Sequence, residues 1–203
     1  MAAILKDCVI PAHVESNTGY CSSYGIQVIL SMLRILDNPL QDIPMAAVLA
    51  SPIVGMDDEE LAQIRSAFKG VSFAQAALSA MAGENGYEDE KLKAFALIFE
   101  RLRGAVADTP IHELLYMMLD ETGFYRYASA MPAGKRRRQN IDMLIEMAAA
   151  YEKTSYKGLF HFVRYIDIQQ KYEIDYGEAD TAGENDDVVR IMTIHKSKGL
   201  EFP

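Results

Sequence analysis

Amphipathic helical periodicity extends through most of this chain and sets its fold class. From Ile26, apolar residues recur at the i, i+3, i+4 and i+7 spacing that places them on one face of a helix. The same spacing predicts further helices at about 90–103, 110–122, 137–153 and 156–171. Such segments bury their apolar faces by packing helix against helix. The sequence therefore predicts a mainly α body.

Proline and glycine residues divide the periodic segments. Pro39 ends the first helix, because proline disfavours helical backbone at the residue before it. Pro44 suits the first turn of a short second helix, where the missing N–H has no cost. Pro110 and Gly123 are expected to open and close the helix between them, and the loop 83–86 breaks the middle of the chain.

The four acidic residues 57–60 admit two interpretations. Clustered carboxylates could hold a metal ion. Alternatively, Asp57 or Asp58 could cap a helix that continues through Ile64, with the other carboxylates stabilised by the positive end of the helix dipole. We favour the capping interpretation.

The helical segments end in an acidic stretch and a short apolar run. Residues 173–187 contain seven acidic residues, no basic residue and two glycines, which is typical of a solvated connector. The run 188–192 is rich in β-branched residues and short enough for a buried strand. Residues 4–14 are interpreted as the end of a helix, a break at Pro11 and a short extended piece. The helical body is therefore expected to lie between two pieces of an α/β domain.

The last eleven residues, Thr193–Pro203, combine a threonine hydroxyl, an imidazole, two ammonium groups, a serine hydroxyl and a glycine. Donors of this kind at the carboxyl end of a parallel strand suit contact with a polyanion, because open α/β sheets bind their ligands at that edge. A strand and a loop do not complete a domain. We therefore expect the chain to be a piece of a larger protein.

This terminal segment closely resembles motif V of the superfamily 1 helicases of the UvrD/PcrA/RecB type, and we call it the motif V loop. Its Lys-Ser-Lys centre, residues 196–198, is nearer to the RecB and AddA branches than to UvrD and PcrA, which usually carry Ser-Ala-Lys. Segments 35–44, 51–55 and 151–160 also resemble the AddA (or RexA) family of bacterial ATP-dependent helicase/nuclease subunits. The resemblance extends over nearly the whole chain.

The resemblance implies roles for residues of the motif V loop. Thr193 and His195 match positions that contact the backbone of single-stranded DNA, where a hydroxyl and an imidazole N–H can donate to phosphate oxygens without reading sequence. Glu201 matches the glutamate that binds the ATP ribose, and Gly199 would let the backbone pass close to the nucleotide. A loop that contacts both ATP and single-stranded DNA can make DNA binding depend on the state of the nucleotide.

The resemblance also implies a division of the chain. Residues 1–20 would end the first part of the RecA-like helicase domain 2A, and residues 21–178 would form the helical 2B domain. Residues 179–187 would be an acidic linker, and residues 188–203 would return to domain 2A with motif V. In this family the 2B domain is inserted into domain 2A just before motif V.

Lys135, Arg136, Arg137 and Arg138 form the densest basic run of the sequence, and we call them the basic run. In the 2B domain of this family, a positive surface can meet duplex DNA, and four cations could neutralise several phosphates. The alternative is a charged helix start on the outside of the protein, facing an acidic neighbour. Basic charge opposes the dipole at a helix start, which favours an external partner. Both interpretations stay open.

Composition restricts the classes of function. The net charge is -9, so the chain lacks the basic character of an autonomous nucleic-acid-binding domain, and DNA contact must come from local patches. Cys8 and Cys21 form no Cys-x-x-Cys pair, which favours a reducing cytoplasm. No apolar run approaches the roughly 20 residues that span a bilayer, so no membrane partner is expected. His13, His112 and His161 lack metal-ligand spacing.

Several helicase motifs are missing from the sequence. It has no Gly-x-x-x-x-Gly-Lys-Ser/Thr loop, and it lacks the Walker B acidic pair, the motif VI arginine and the nuclease motifs. The chain alone is therefore expected to bind no cofactor and to contain no catalytic residue.

For the parent protein, the resemblance implies a 3'–5' ATP-dependent DNA helicase with exonuclease activity that resects double-strand ends for recombinational repair. It would use ATP and Mg²⁺, act on single-stranded and duplex DNA, and pair with an AddB/RexB-type protein. Two alternatives stay open. One is a UvrD/PcrA-like repair helicase without a nuclease, and the other is a free-standing helical interaction module.

Overall fold

A computed structural model describes residues 12–14, 23–154, 158–171 and 189–191. Within these ranges the chain forms nine α-helices, a 3-10 turn at Glu84–Gly86 and two three-residue strands. The expected mainly α fold is therefore confirmed. The elements in chain order are β1 (Ala12–Val14), α1 (Tyr24–Asp37), α2 (Asp42–Leu49), α3 (Asp58–Ala67), α4 (Phe73–Met81), α5 (Glu90–Ala105), α6 (Ile111–Glu121), α7 (Phe124–Ala130), α8 (Gly134–Tyr151), α9 (Leu159–Lys171) and β2 (Val189–Ile191).

Helix α1 lies in the interior of the helical body. Its sequence predicted a single apolar face, but the structure also buries residues on its other sides, such as Val28, Leu30 and Met32. Helices α2, α5, α8 and α9 pack around it, and a helix that is apolar all round is a buried helix. The Ser31 hydroxyl donates to the Gln27 carbonyl oxygen at 2.7 Å, so its polar group is satisfied inside the core.

The first and last helices of the body are joined by an ion pair. Arg34 on α1 donates from a terminal nitrogen to the Asp167 carboxylate on α9 at 2.6 Å. Beside this pair, Phe162 and Ile166 of α9 are buried in the same core as α1. The first and last helices of the helical body therefore pack against each other.

The predicted helix boundaries agree with the structure at five sites. Pro39 follows the end of α1, and Pro44 lies in the first turn of α2. Pro110 immediately precedes α6, and Gly123, with φ of 66°, follows its end. The predicted break at 83–86 is a 3-10 turn whose glycines have positive φ.

Two helices were not predicted from the sequence. Helix α4 buries alanines rather than large apolar side chains, so its periodic signal is weak. The sequence pattern that could have predicted the start of α4 is the Ser72–Gln75 pair. In this capping box each side chain accepts a hydrogen bond from the other residue's backbone N–H. Helix α7 has only seven residues and buries Phe124 and Ala128, too few to establish a period.

The two strands pair in parallel. Ala12 lies opposite Val189, and Val14 lies opposite Ile191. The extended piece expected near the start of the chain and the strand expected at 188–192 are both present in this pair. Within the described ranges, Val189 is 46 % exposed.

Candidate nucleic-acid interface

The parallel pair brings the carboxyl ends of β1 and β2 to the same edge of the sheet. Strand β2 ends at Ile191, and the motif V loop begins two residues later. That edge is where open α/β sheets bind their ligands. Four predicted site residues lie outside the described ranges, as does the acidic linker 179–187. They are Thr193, His195, Gly199 and Glu201.

The basic run forms the first turns of α8 and divides into two pairs. Lys135 and Arg138 are exposed, and we call them the outer pair. Arg136 and Arg137 are half-buried and line a cleft, and we call them the cleft pair. The division follows from helical geometry, because residues three apart share one face of a helix.

The cleft lies between the start of α1, the end of α7 and the first turns of α8. It has a cavity volume of about 240 Å³. Tyr24 forms one wall, the cleft pair forms another, and Asn140 lies among its lining residues. This cleft was not predicted, because its walls come from segments more than a hundred residues apart in the sequence.

A close turn joins α7 to α8 and shapes the cleft. Ala133, which precedes α8, has φ of 59°, a left-handed conformation that non-glycine residues rarely adopt. A Cβ at Gly134 would lie 1.9 Å from the Ser129 carbonyl oxygen, so only glycine fits there. Arg137 donates from Nε to the Pro132 carbonyl oxygen at 3.1 Å, which braces the turn from the other side.

Tyr24 lines the cleft, and Tyr127 lies near Tyr24. Tyr24 is 56 % exposed and Tyr127 is 39 % exposed. Partial burial raises the pKa of Tyr24 above its ordinary value, and the nearby Tyr127 raises this pKa further. Tyr24 is therefore protonated at neutral pH and can donate a hydrogen bond. Sequence reasoning missed both tyrosines, because no local pattern links them to the basic run.

The acidic residues 57–60 form a helix start, and the capping interpretation is confirmed. The Asp57 carboxylate accepts from the Glu60 backbone N–H at 2.8 Å, and the Glu60 carboxylate accepts from the Asp57 backbone N–H at 2.8 Å. Lys91 donates to Glu60 at 2.7 Å and to the Gly55 carbonyl oxygen at 2.9 Å. The hydrogen bond from Lys91 lowers the pKa of Glu60, which favours the ionised carboxylate that caps the helix.

His112 and His161 make structural contacts. His112 pairs through Nδ1 with Glu152, whose other oxygen accepts from the Ile111 backbone N–H at 2.5 Å. The His161 ring packs edge-on against Phe160, with the ring centroids 5.3 Å apart. The side chain of His13 lies outside what the structure describes. Across the described ranges, no group of His, Cys, Asp or Glu side chains is arranged to hold a metal ion.

Among the residues that the structure describes, no helix is both long and apolar enough to cross a bilayer.

Several known proteins that share one name are similar to this chain. The chain is 44 % identical over 196 residues to the AddA-type subunit of the ATP-dependent helicase/nuclease of Anoxybacillus flavithermus. It is 44 % identical over 198 residues to the protein of the same name from Bacillus cytotoxicus, and 42 % identical over 198 residues to that from Bacillus mycoides. Each alignment covers 96 % of this chain and 16 % of the relative.

The chain thus spans about one sixth of the length of these relatives. A family model described as "UvrD-like helicase C-terminal domain" matches residues 1–203. This match covers both strands, every helix and the motif V loop, and it confirms the resemblance recognised in the sequence. The chain belongs to the UvrD-like helicase C-terminal domain family.

Proposed function

We propose that this chain is part of an AddA-type ATP-dependent DNA helicase/nuclease that unwinds and resects DNA double-strand ends for recombinational repair. Within that protein it supplies the helical 2B domain and motif V, and it is inactive alone. The shared name of its relatives favours a helicase/nuclease over a repair helicase without a nuclease. The same relatives disfavour a free-standing interaction module, because they continue far beyond the aligned part.

The parallel pairing of β1 with β2 is the observation that carries this proposal. The whole helical body lies between two strands that are neighbours in one sheet. A domain inserted into the connection between two parallel strands has this arrangement, because parallel neighbours are joined by a long crossover that can hold it. The pairing supports a division into residues 1–20 and 188–203 of domain 2A, residues 21–178 of domain 2B and a linker at 179–187.

The motif V loop would connect the DNA to the nucleotide. Thr193 and His195 would donate to phosphates of single-stranded DNA. Glu201 would accept from the ribose hydroxyls of ATP, beside the backbone at Gly199. ATP and Mg²⁺ would be held mainly by parts of the parent protein that precede or follow this chain, because the sequence has no phosphate-binding loop. The parent would act in the cytoplasm with an AddB/RexB-type protein.

Variants of the motif V loop in the full-length protein test the proposal. Glu201→Gln should raise the KM for ATP about tenfold, because one charge-assisted hydrogen bond to the ribose is weakened. Thr193→Ala combined with His195→Ala should instead weaken single-stranded DNA binding and DNA-stimulated ATP hydrolysis. Steady-state ATPase assays and fluorescence anisotropy with an oligonucleotide measure the two effects separately.

Glu100→Gln, at an exposed position on α5 outside the loop, is the control and should change neither quantity. The purified 203-residue chain should hydrolyse no ATP. The proposal fails if ATP turnover is found in the isolated chain. It also fails if both sets of motif V variants behave like the control.

A further inference from the structure

We infer that the outward side of α2 is covered by an apolar segment of the same polypeptide that lies outside these 203 residues. This side consists of Leu40, Ile43, Ala46, Ala47 and Ala50, and we call it the α2 face. The inference rests on the proposed function in one respect, namely that the chain is part of a longer protein. It adds a contact between the helical body and the rest of that protein.

Helix α2 is apolar on all sides but buried on only one. From Ile43 to Leu49 every residue is apolar. Met45, Val48 and Leu49 are buried, and α1 and α4 pack against the helix. A helix that is apolar all round is normally a buried helix. The outward side of α2 therefore departs from the rule that its neighbour α1 follows.

The residues of the α2 face lie together. Ile43, Ala46, Ala47 and Ala50 have the i, i+3, i+4 and i+7 spacing of one helix side, and Leu40 precedes the helix by two residues. Ile43 is 84 % exposed and Leu40 is 56 % exposed. Single exposed apolar residues are ordinary on protein surfaces, whereas contiguous ones mark an interaction site. The α2 face belongs to the second kind.

The polar side chains at the edge of the α2 face are bonded within the helical body. The Asp42 carboxylate accepts from the Ala74 backbone N–H at 2.9 Å, and this bond lowers the pKa of Asp42. Gln41 donates from Nε2 to the carbonyl oxygens of Arg34 and Asn38, each at 3.2 Å. A partner can therefore exclude water from the α2 face without breaking these hydrogen bonds.

The charge of this region excludes nucleic acid as the occupant. Between Arg34 and Arg65 the sequence contains no lysine or arginine, whereas a phosphate backbone is bound through such cations. Arg65 itself donates to the Val71 carbonyl oxygen. The free energy available at the α2 face is that of burying apolar surface, so the occupant is apolar too.

The size of the α2 face favours an occupant from the same polypeptide. An eight-residue helix is about 12 Å long and about 10 Å wide, so one side offers on the order of 150 Å². A stable interface between separate proteins buries about 800 Å² on each partner. A tethered segment needs much less, because its effective concentration is high.

The relatives of this chain are long enough to supply such a segment. Each alignment covers 16 % of the relative, so most of each relative lies outside the aligned part. In a protein of that length the helical body has other parts of the polypeptide as neighbours. Interfaces between domains of one chain are commonly small patches of this kind.

Cysteine labelling of the full-length protein tests the inference. Ala50→Cys introduces a thiol on the α2 face, and Ala62→Cys introduces one at an exposed position of the charged helix α3. In the folded protein, a maleimide should label position 50 at least about tenfold more slowly than position 62, because only the first is covered. In urea the two positions should react at similar rates. Peptide mass spectrometry reads each position separately from the other cysteines.

Two charge variants, each combined with Ala50→Cys, sharpen the test. Ile43→Glu suits the positive end of the α2 dipole but introduces a charge beneath the covering segment. It should raise labelling at position 50 at least about tenfold by displacing that segment. Leu97→Glu is the matched control, because Leu97 is 67 % exposed but has Lys93 and Arg101 one helical turn away. It should change labelling less than about twofold.

Equal labelling of positions 50 and 62 in the folded protein would overturn the inference, because the α2 face would then be open. Protection that is lost on dilution would also overturn it, since the occupant would be a second copy. Protection that requires an added protein of another sequence would do the same. If circular dichroism shows that Ile43→Glu is unfolded, the comparison of positions 50 and 62 still decides the outcome.

The labelling result is independent of the motif V experiments, because its measurement involves neither ATP nor DNA. Failure of the motif V variants with a protected position 50 would refute the proposed role of the motif V loop and retain the covered face. The expected motif V effects with an open α2 face would refute this inference alone.

Discussion

The starts of helices α3 and α8 follow opposite rules. At α3, Asp57 and Glu60 cap each other's backbone N–H groups, and the first turn is acidic. At α8, Ala133 occupies the cap position with a left-handed φ and no side-chain acceptor, and a basic run follows it. The start of α3 is stabilised by side chains of its own cap and first turn. The start of α8 has no such cap and is held by the residues packed around it. Departures from local rules of this kind concentrate at functional sites.

Gly134→Ala should change the free energy of unfolding most. It tests whether the residues around the start of α8 hold that start in place. The added methyl group would overlap the Ser129 carbonyl oxygen, which belongs to the backbone and cannot rotate away. We expect the free energy of unfolding to fall by about 3 kcal/mol. Urea denaturation followed by circular dichroism measures the change.

Gly104→Ala on α5 is the matched control, since a Cβ there meets no atom within 4 Å. It should raise the free energy of unfolding by up to about 1 kcal/mol through helix propensity. A similar response of both glycine variants would contradict the close approach at α8.

Asp57→Ala makes the start of α3 resemble the start of α8. It removes the side-chain acceptor for the Glu60 backbone N–H, and we expect a loss of about 1 kcal/mol in the free energy of unfolding. Asp58→Ala, one residue later, serves as the control, because Asp57 is the cap residue. Equal losses for the two variants would show that general charge near the helix dipole, rather than the cap, stabilises α3.

Ala133→Gly should make the smallest change and move α8 in the other direction. Glycine adopts a positive φ without the steric penalty that alanine has there, although it costs more backbone entropy on folding. The net expectation is a gain of about 0.5 kcal/mol in the free energy of unfolding. Denaturant titration against the original chain measures it, and a clear loss would mean that the alanine side chain makes a packing contribution at the cleft.

Local sequence patterns predicted the parts of the fold that depend on local interactions. The periodic apolar residues of α1 and the cap at Asp57 each act within a few positions of the chain, so both were recognisable. Helix α4 was missed because Ala74, Ala76 and Ala77 pack closely without a strong hydrophobic signal. The all-round burial of α1 depended on neighbours that periodicity cannot identify.

The candidate sites divide in the same way. The basic run was evident as four adjacent residues, but its separation into outer and cleft pairs depends on where α1 and α7 lie. Tyr24 joins Arg136 only through the tertiary fold. The motif V loop was recognised by resemblance, and the roles of its residues from Thr193 onward stay predictions.

The pairing of β1 with β2 also has a consequence for protein synthesis. Ribosomes add about 5–20 residues per second, so β1 would leave the ribosome roughly ten to thirty seconds before its partner strand exists. The helices between them can form within microseconds of their emergence. The nascent chain would therefore carry a finished helical body and an unpaired strand edge, the kind of edge that other chains can pair with. Inserting a large domain between two adjacent strands therefore leaves the first strand without this partner while the domain is being made.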